Sequence, residues 1–138
     1  MIQRIQSVYL ILGVLALAAV VLLGDLGRPA HEPVAWFVPG ATVALCLSAL
    51  LGLVALFLFK TRDRQRRIIV LTQYATLVCM AVILAGLSAA GTLPTTRVAV
   101  SANWELLALP LVAYVLFWLA RRGVDADIKL LKSVDRLR

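Results

Sequence analysis

The sequence predicts an all-α fold: a four-helix transmembrane bundle with both termini on the inner side, followed by an amphipathic cytoplasmic helix. Three observations carry that expectation. Four apolar runs of membrane-spanning length are separated by polar loops. Hydrophobic residues make up 62% of the 138-residue chain, against roughly 45–50% in a soluble domain. Twelve of the fourteen cations fall on one side of the runs.

The first span covers residues 5–23, after a basic start at Arg4. It is long for the apolar part of a secretory signal, and the following Gly24-Asp25-Leu26-Gly27-Arg28-Pro29 is a poor small-residue cleavage pattern, so an uncleaved span is expected. Spans two (37–59) and three (68–90) are long enough to cross a ~30 Å hydrocarbon core with some tilt. Span four (104–120) is near the short limit and is given an earlier alternative start around Val98; a short extended piece is placed at Arg97 to Val100. A single span in lipid satisfies its backbone only as a helix, so all four are read as α.

Orientation follows from the cations. Arg4, Lys60, Arg62, Arg64, Arg66, Arg67, Arg121, Arg122, Lys129, Lys132, Arg136 and Arg138 share one side; Arg28 and Arg97 lie on the other. With the acidic residues included, the first side carries +8 and the second −1. The bias of Lys and Arg in short loops sets topology, which places both termini in the cytoplasm. Trp36, Phe37 and Trp104 are read as marking the outer boundary, and Phe57, Phe59, Phe117 and Trp118 the inner one.

Residues 1–122 form the membrane domain in this reading, and residues 123–138 a separate tail relaxed at Gly123. On a helical wheel Val124, Ile128, Leu130, Leu131, Val134 and Leu137 fill one half, with Asp127, Asp135 and Arg138 intruding. The tail is too short and charged to span, so it is expected on the cytoplasmic interface or on a partner.

The opening Met1-Ile2-Gln3-Arg4-Ile5-Gln6-Ser7-Val8-Tyr9-Leu10 and the closing Ser133-Val134-Asp135-Arg136-Leu137-Arg138, with the length and the four spans, resemble an uncharacterised bacterial family of small integral membrane proteins, the domain-of-unknown-function family forty-two ninety-three. The resemblance implies an inner-membrane protein of a Gram-negative cell. It brings no catalytic or binding residues.

Candidate residues are few. Gly40, Ala44, Ser48 and Gly52 recur every four positions in span two, and Gln73 lies in a polar patch with Thr72, Tyr74 and Thr76 in span three. Small residues permit close helix approach, and a buried amide hydrogen-bonds across helices, so these five are assigned to helix packing. Lys60, Arg62, Arg64, Arg66, Arg67, Arg121 and Arg122 are assigned to lipid headgroups of the anionic inner leaflet, where each cation is worth ~1 kcal/mol. The basic loop is short, lacks interleaved aromatics and is pinned to the membrane, which argues against nucleic acid. Glu105 is read as a first-turn carboxylate favoured by the helix dipole, with Ser101 or Asn103 as N-cap. Pro110 frees the carbonyl of Leu106. Cys46 and Cys79 lie at comparable depth but lack a C-x-x-C spacing, and His31 beside Glu32 is far below a metal site.

No catalytic residues, metal ligands or cofactor are therefore expected. A non-catalytic accessory or structural subunit of the inner membrane is the favoured class, with lipids and a membrane-protein partner or second copy as contacts. A small oligomeric transporter or channel is the alternative. A lipid or quinone enzyme ranks last, because the spans offer no acid/base pair.

Overall fold

An alternation of four- and three-residue steps recurs in the buried positions of the computed structural model, which describes residues 2–23, 35–91 and 97–135. Helix α1 (Ile2–Leu23) buries residues 6, 10, 13, 17 and 20; α3 (Arg62–Ala89) buries 65, 69, 72, 76, 79, 83 and 86, with Gln73 and Leu87 buried beside that row; α4 (Arg97–Asp135) buries 106, 110, 113, 117, 120, 124 and 127. Helix α2 (Phe37–Phe57) follows the same pattern after one additional four-residue step, at 37, 41, 45, 48, 52 and 55. A repeat averaging 3.5 residues keeps one seam facing the neighbours and belongs to left-handed bundles. Each helix packs against two others in a ring: α1 on α2 and α4, and α3 on α2 and α4.

Local chemistry sets the helix ends. Pro39 occupies the first turn of α2, where no intrahelical partner awaits its missing N–H. A 3₁₀ turn, Leu58–Lys60, closes α2 and leads through Thr61 into α3. At the far end of α3, Gly91 takes φ 66° and its N–H bonds the Ser88 carbonyl at 3.1 Å, a glycine-dependent helix stop.

The solvent-facing logic of a globular protein is inverted. The outer wall is apolar, with Leu22, Val43, Phe57 and Val78 well exposed, while Gln6, Ser48, Gln65, Thr72, Gln73, Thr76 and Asp127 are buried. Water would not tolerate so much continuous apolar surface. All four helices are long and apolar enough to cross a membrane. The chain is a multi-pass, all-α membrane bundle.

Several expectations change. Arg62 to Arg67 form the opening of α3 and not a loop, because helix begins six residues before the expected span. Arg97 to Val100 are helical and not extended. Glu105 consequently sits more than two turns inside α4, beyond reach of the first-turn dipole benefit. Phe37 and Phe117 are fully buried, so they pack the core while Trp36, Trp104, Phe57, Phe59 and Trp118 remain exposed. Cys79 lies in the seam and Cys46 faces outward, so the two thiols diverge. Helix α4 passes without a break through Gly123. His31 and Glu32, like the segment from Gly24 to Pro29, lie outside the described residues, as do the side chains of Ser101 and Asn103.

Candidate functional site

Polar groups gather at the end of the bundle where α2 ends and α3 begins. On α1, Gln6 holds a seam position one turn before Leu10; on α4, Asp127 holds one just after Val124. The Gln6 Nε2 donates to Asp127 Oδ2 at 2.9 Å. Both side chains are buried, at 4% and 8% exposure. Gly123 makes the approach feasible: a Cβ there would sit 2.7 Å from Gln6 Cγ. A buried carboxylate with one amide partner is a register device, because sliding α1 against α4 by a turn strands both groups in an apolar seam.

Gln65 is the corresponding device between α2 and α3. Its Nε2 donates to the Ala55 carbonyl at 3.2 Å, near the end of α2. On the outer side of α3, Arg66 pairs with Asp125, whose second oxygen lies 3.8 Å from Arg121 Nε. Arg121 also reaches inward, its Nη1 donating to Gln73 Oε1 at 3.4 Å. These ion pairs are a third to a half exposed, so each contributes no more than about 1 kcal/mol. Arg122 lies over the Trp118 ring, 5.3 Å from its centroid.

The assigned packing residues divide. Ser48 and Gly52 are buried, while Gly40 and Ala44 are half-buried beside the seam. Four-residue steps drift by about 40° each around a helix of 3.6 residues per turn, so a stripe of this spacing leaves the interface. Gly52 meets α1 closely, a Cβ there falling 2.7 Å from Val14. Gln73 is buried and bonded across helices by Arg121. The hydroxyls of Ser48, Thr72 and Thr76 donate to the carbonyls four residues back, at 2.8, 2.9 and 2.8 Å.

Of the residues assigned to headgroups, Arg64, Arg66, Arg67 and Arg122 are exposed, and Arg62 and Arg121 partly so; the Lys60 side chain is outside the described residues. Arg66 and Arg121 are engaged with Asp125, which the sequence reading did not single out. It also passed over Gln6, Gln65 and Asp127 as functional positions. A heptad reading of α1, α3 and α4 exposes the last three at once, as polar residues in seam register.

Replacing Gln6 with Ala will cost about 1–3 kcal/mol by leaving Asp127 without its donor. Gln6→Leu combined with Asp127→Leu will recover most of it. Reversible unfolding in mixed micelles measures both; an additive double mutant would show that the pair does not interact.

Among the described residues, no group of three or more His, Cys, Asp or Glu side chains is placed to hold a metal ion. No curated protein and no solved structure matches the chain. A family model does, over residues 25–137. That match takes in the last three helices together with the charged end they build, and the chain therefore belongs to the Domain of unknown function (DUF4293) family.

Proposed function

We propose that this chain is a non-catalytic accessory subunit of the bacterial inner membrane, with both termini in the cytoplasm and its basic end on the anionic leaflet. The observation that carries the reading is how the buried polar groups are used: Gln6 on Asp127, Gln65 on the Ala55 carbonyl and Gln73 under Arg121 all tie helix to helix. Such groups hold a shape. Of the charged residues left exposed at the same end, Arg64, Arg66, Arg67, Arg122 and Lys129 outnumber Asp63, and Leu130 and Leu131 are exposed beside them. That combination suits an anionic lipid surface and a docked membrane protein.

Solubilised in mild detergent, the tagged full chain is expected to bring down one stoichiometric membrane-protein partner. Leu130→Ser with Leu131→Ser will release it without lowering bundle stability. A reporter that matures only in the cytoplasm, fused to the C-terminus, will be active. An inactive reporter overturns the orientation, and a chain that purifies alone overturns the accessory role.

A transporter is the second reading, favoured by the buried Ser48, Thr72, Gln73 and Thr76. Against it, the three hydroxyls are bonded to their own helices, and the α3 seam beyond them runs Cys79, Ile83, Gly86. Solute flux through reconstituted vesicles, abolished by Gln73→Leu, would replace the accessory reading.

A further inference from the structure

We infer that Trp118, Arg121 and Arg122 form a built site for the phosphate of one anionic phospholipid. The inference rests on the charged end lying at a leaflet surface, and it deepens that reading to a single lipid position.

Depth is the first argument. Trp104 is exposed near one end of the apolar wall of α4. Arg121 follows it by about 26 Å of helix and Asp125 by about 32 Å. A hydrocarbon core of ~30 Å beginning at Trp104 therefore ends between them. Guanidinium groups within one turn of that boundary reach the phosphate layer by extending their stems.

Geometry is the second. Trp118, Arg121, Arg122 and Asp125 line a cleft of about 250 Å³, below the ~300–1,000 Å³ of pockets that enclose small molecules. It suits a headgroup whose chains remain outside. Both cations are positioned before any ligand arrives: Arg122 rests on the indole, and Arg121 is held by Asp125 and Gln73. The lone carboxylate is already engaged by Arg66 and Arg121. Two cations already neutralise its charge, so an ammonium headgroup gains little there and the cleft favours an anionic lipid over a zwitterionic one. Guanidinium forks match phosphate oxygens.

Continuity is the third. Leu111, Val115 and Trp118 are exposed at helical spacing on α4 and lead away from the cleft into the apolar wall. An acyl chain fits along that track while its phosphate stays at Arg122. The neighbouring cleft lined by Asp63, Arg66, Asp125, Ile128 and Lys129 has two carboxylates against two cations.

Native mass spectrometry of the full chain in detergent, titrated with phosphatidylglycerol or phosphatidylethanolamine, tests the site. One phosphatidylglycerol is expected to remain bound per chain. Arg122→Gln and Trp118→Leu will each weaken retention, the former by about fivefold, the effect of one interfacial cation. Arg62→Gln, Arg64→Gln and Arg67→Gln together will leave the bound lipid in place. Equal retention of both lipids, an equal loss in the triple variant, or displacement by millimolar inorganic phosphate would each overturn the site. Detergent binding does not depend on sidedness, so failure here leaves the accessory reading standing, and an inactive C-terminal reporter leaves the site standing.

Discussion

Gly86→Ala will destabilise the bundle by about 3 kcal/mol, at the upper end of overpacking costs, although it adds one methyl group. The site has no room for it. A Cβ at Gly86 would lie 1.8 Å from Phe37 Cδ2, 2.3 Å from Cε2 and 2.7 Å from Cγ. The near side of the ring covers the glycine, so a small rotation does not relieve the clash. Phe37 is fully buried at the first position of α2, so relieving the clash displaces a packed ring at the contact of α2 with α3. Thermal unfolding in detergent measures the loss. Gly91→Ala is the control: it has positive φ but open space around it, and will cost about 1 kcal/mol through backbone strain alone. Phe37→Leu placed in the Gly86→Ala background will recover stability. If Gly86→Ala unfolds like the parent protein, the ring is not seated on this glycine.

Phe117→Ala will cost about 3 kcal/mol, near the low end for burying then deleting a phenyl ring in soluble cores. The low end is expected because lipid, unlike water, provides no transfer energy between helices, leaving lost packing and the void. The ring lies between two glycines of different helices: a Cβ at Gly13 would approach Phe117 Cε1 to 2.6 Å, and one at Gly52 to 3.3 Å. One side chain of α4 thus sets the spacing of α1 and α2. The sharper measurement is a double-mutant cycle. The three atoms nearest a Cβ at Gly13 all belong to Phe117, so Gly13→Ala will destabilise the parent and be nearly neutral in Phe117→Ala. Additive energies would remove the ring from between the helices.

How far the sequence reaches can be judged from particular residues. Spans 5–23 and 37–59 fall within a turn of α1 and α2, because an apolar run in lipid has only one way to satisfy its backbone. Helices α3 and α4 extend past their expected spans, at Arg62 and from Arg97 to Asp135. Hydropathy marks where a chain is oily, and a helix continues beyond that point whenever tertiary partners support it. Gln65 and Asp127 provide such support and are polar, so a hydropathy criterion counts them against the span. The tail illustrates the same blindness. Its apolar half-wheel points to Val124, Ile128, Leu130 and Leu131, yet the seam continues through Val124 to Asp127 and leaves Leu130 and Leu131 exposed. A charged residue at an interface position looks like an intrusion until its partner, Gln6, is found 121 positions away.

By itself, the sequence determined the number of spans, their helical state and the family, together with a charge asymmetry from which sidedness is argued. These depend on composition within a run and on the bilayer's intolerance of unpaired backbone groups. Only the tertiary structure decided which face of each helix turns inward. That choice rests on contacts between distant residues: Phe37 on Gly86, Phe117 between Gly13 and Gly52, and Gln6 on Asp127. In lipid every apolar face is equally content outside, so the interior goes to whichever surfaces fit one another closely and satisfy their buried polar atoms.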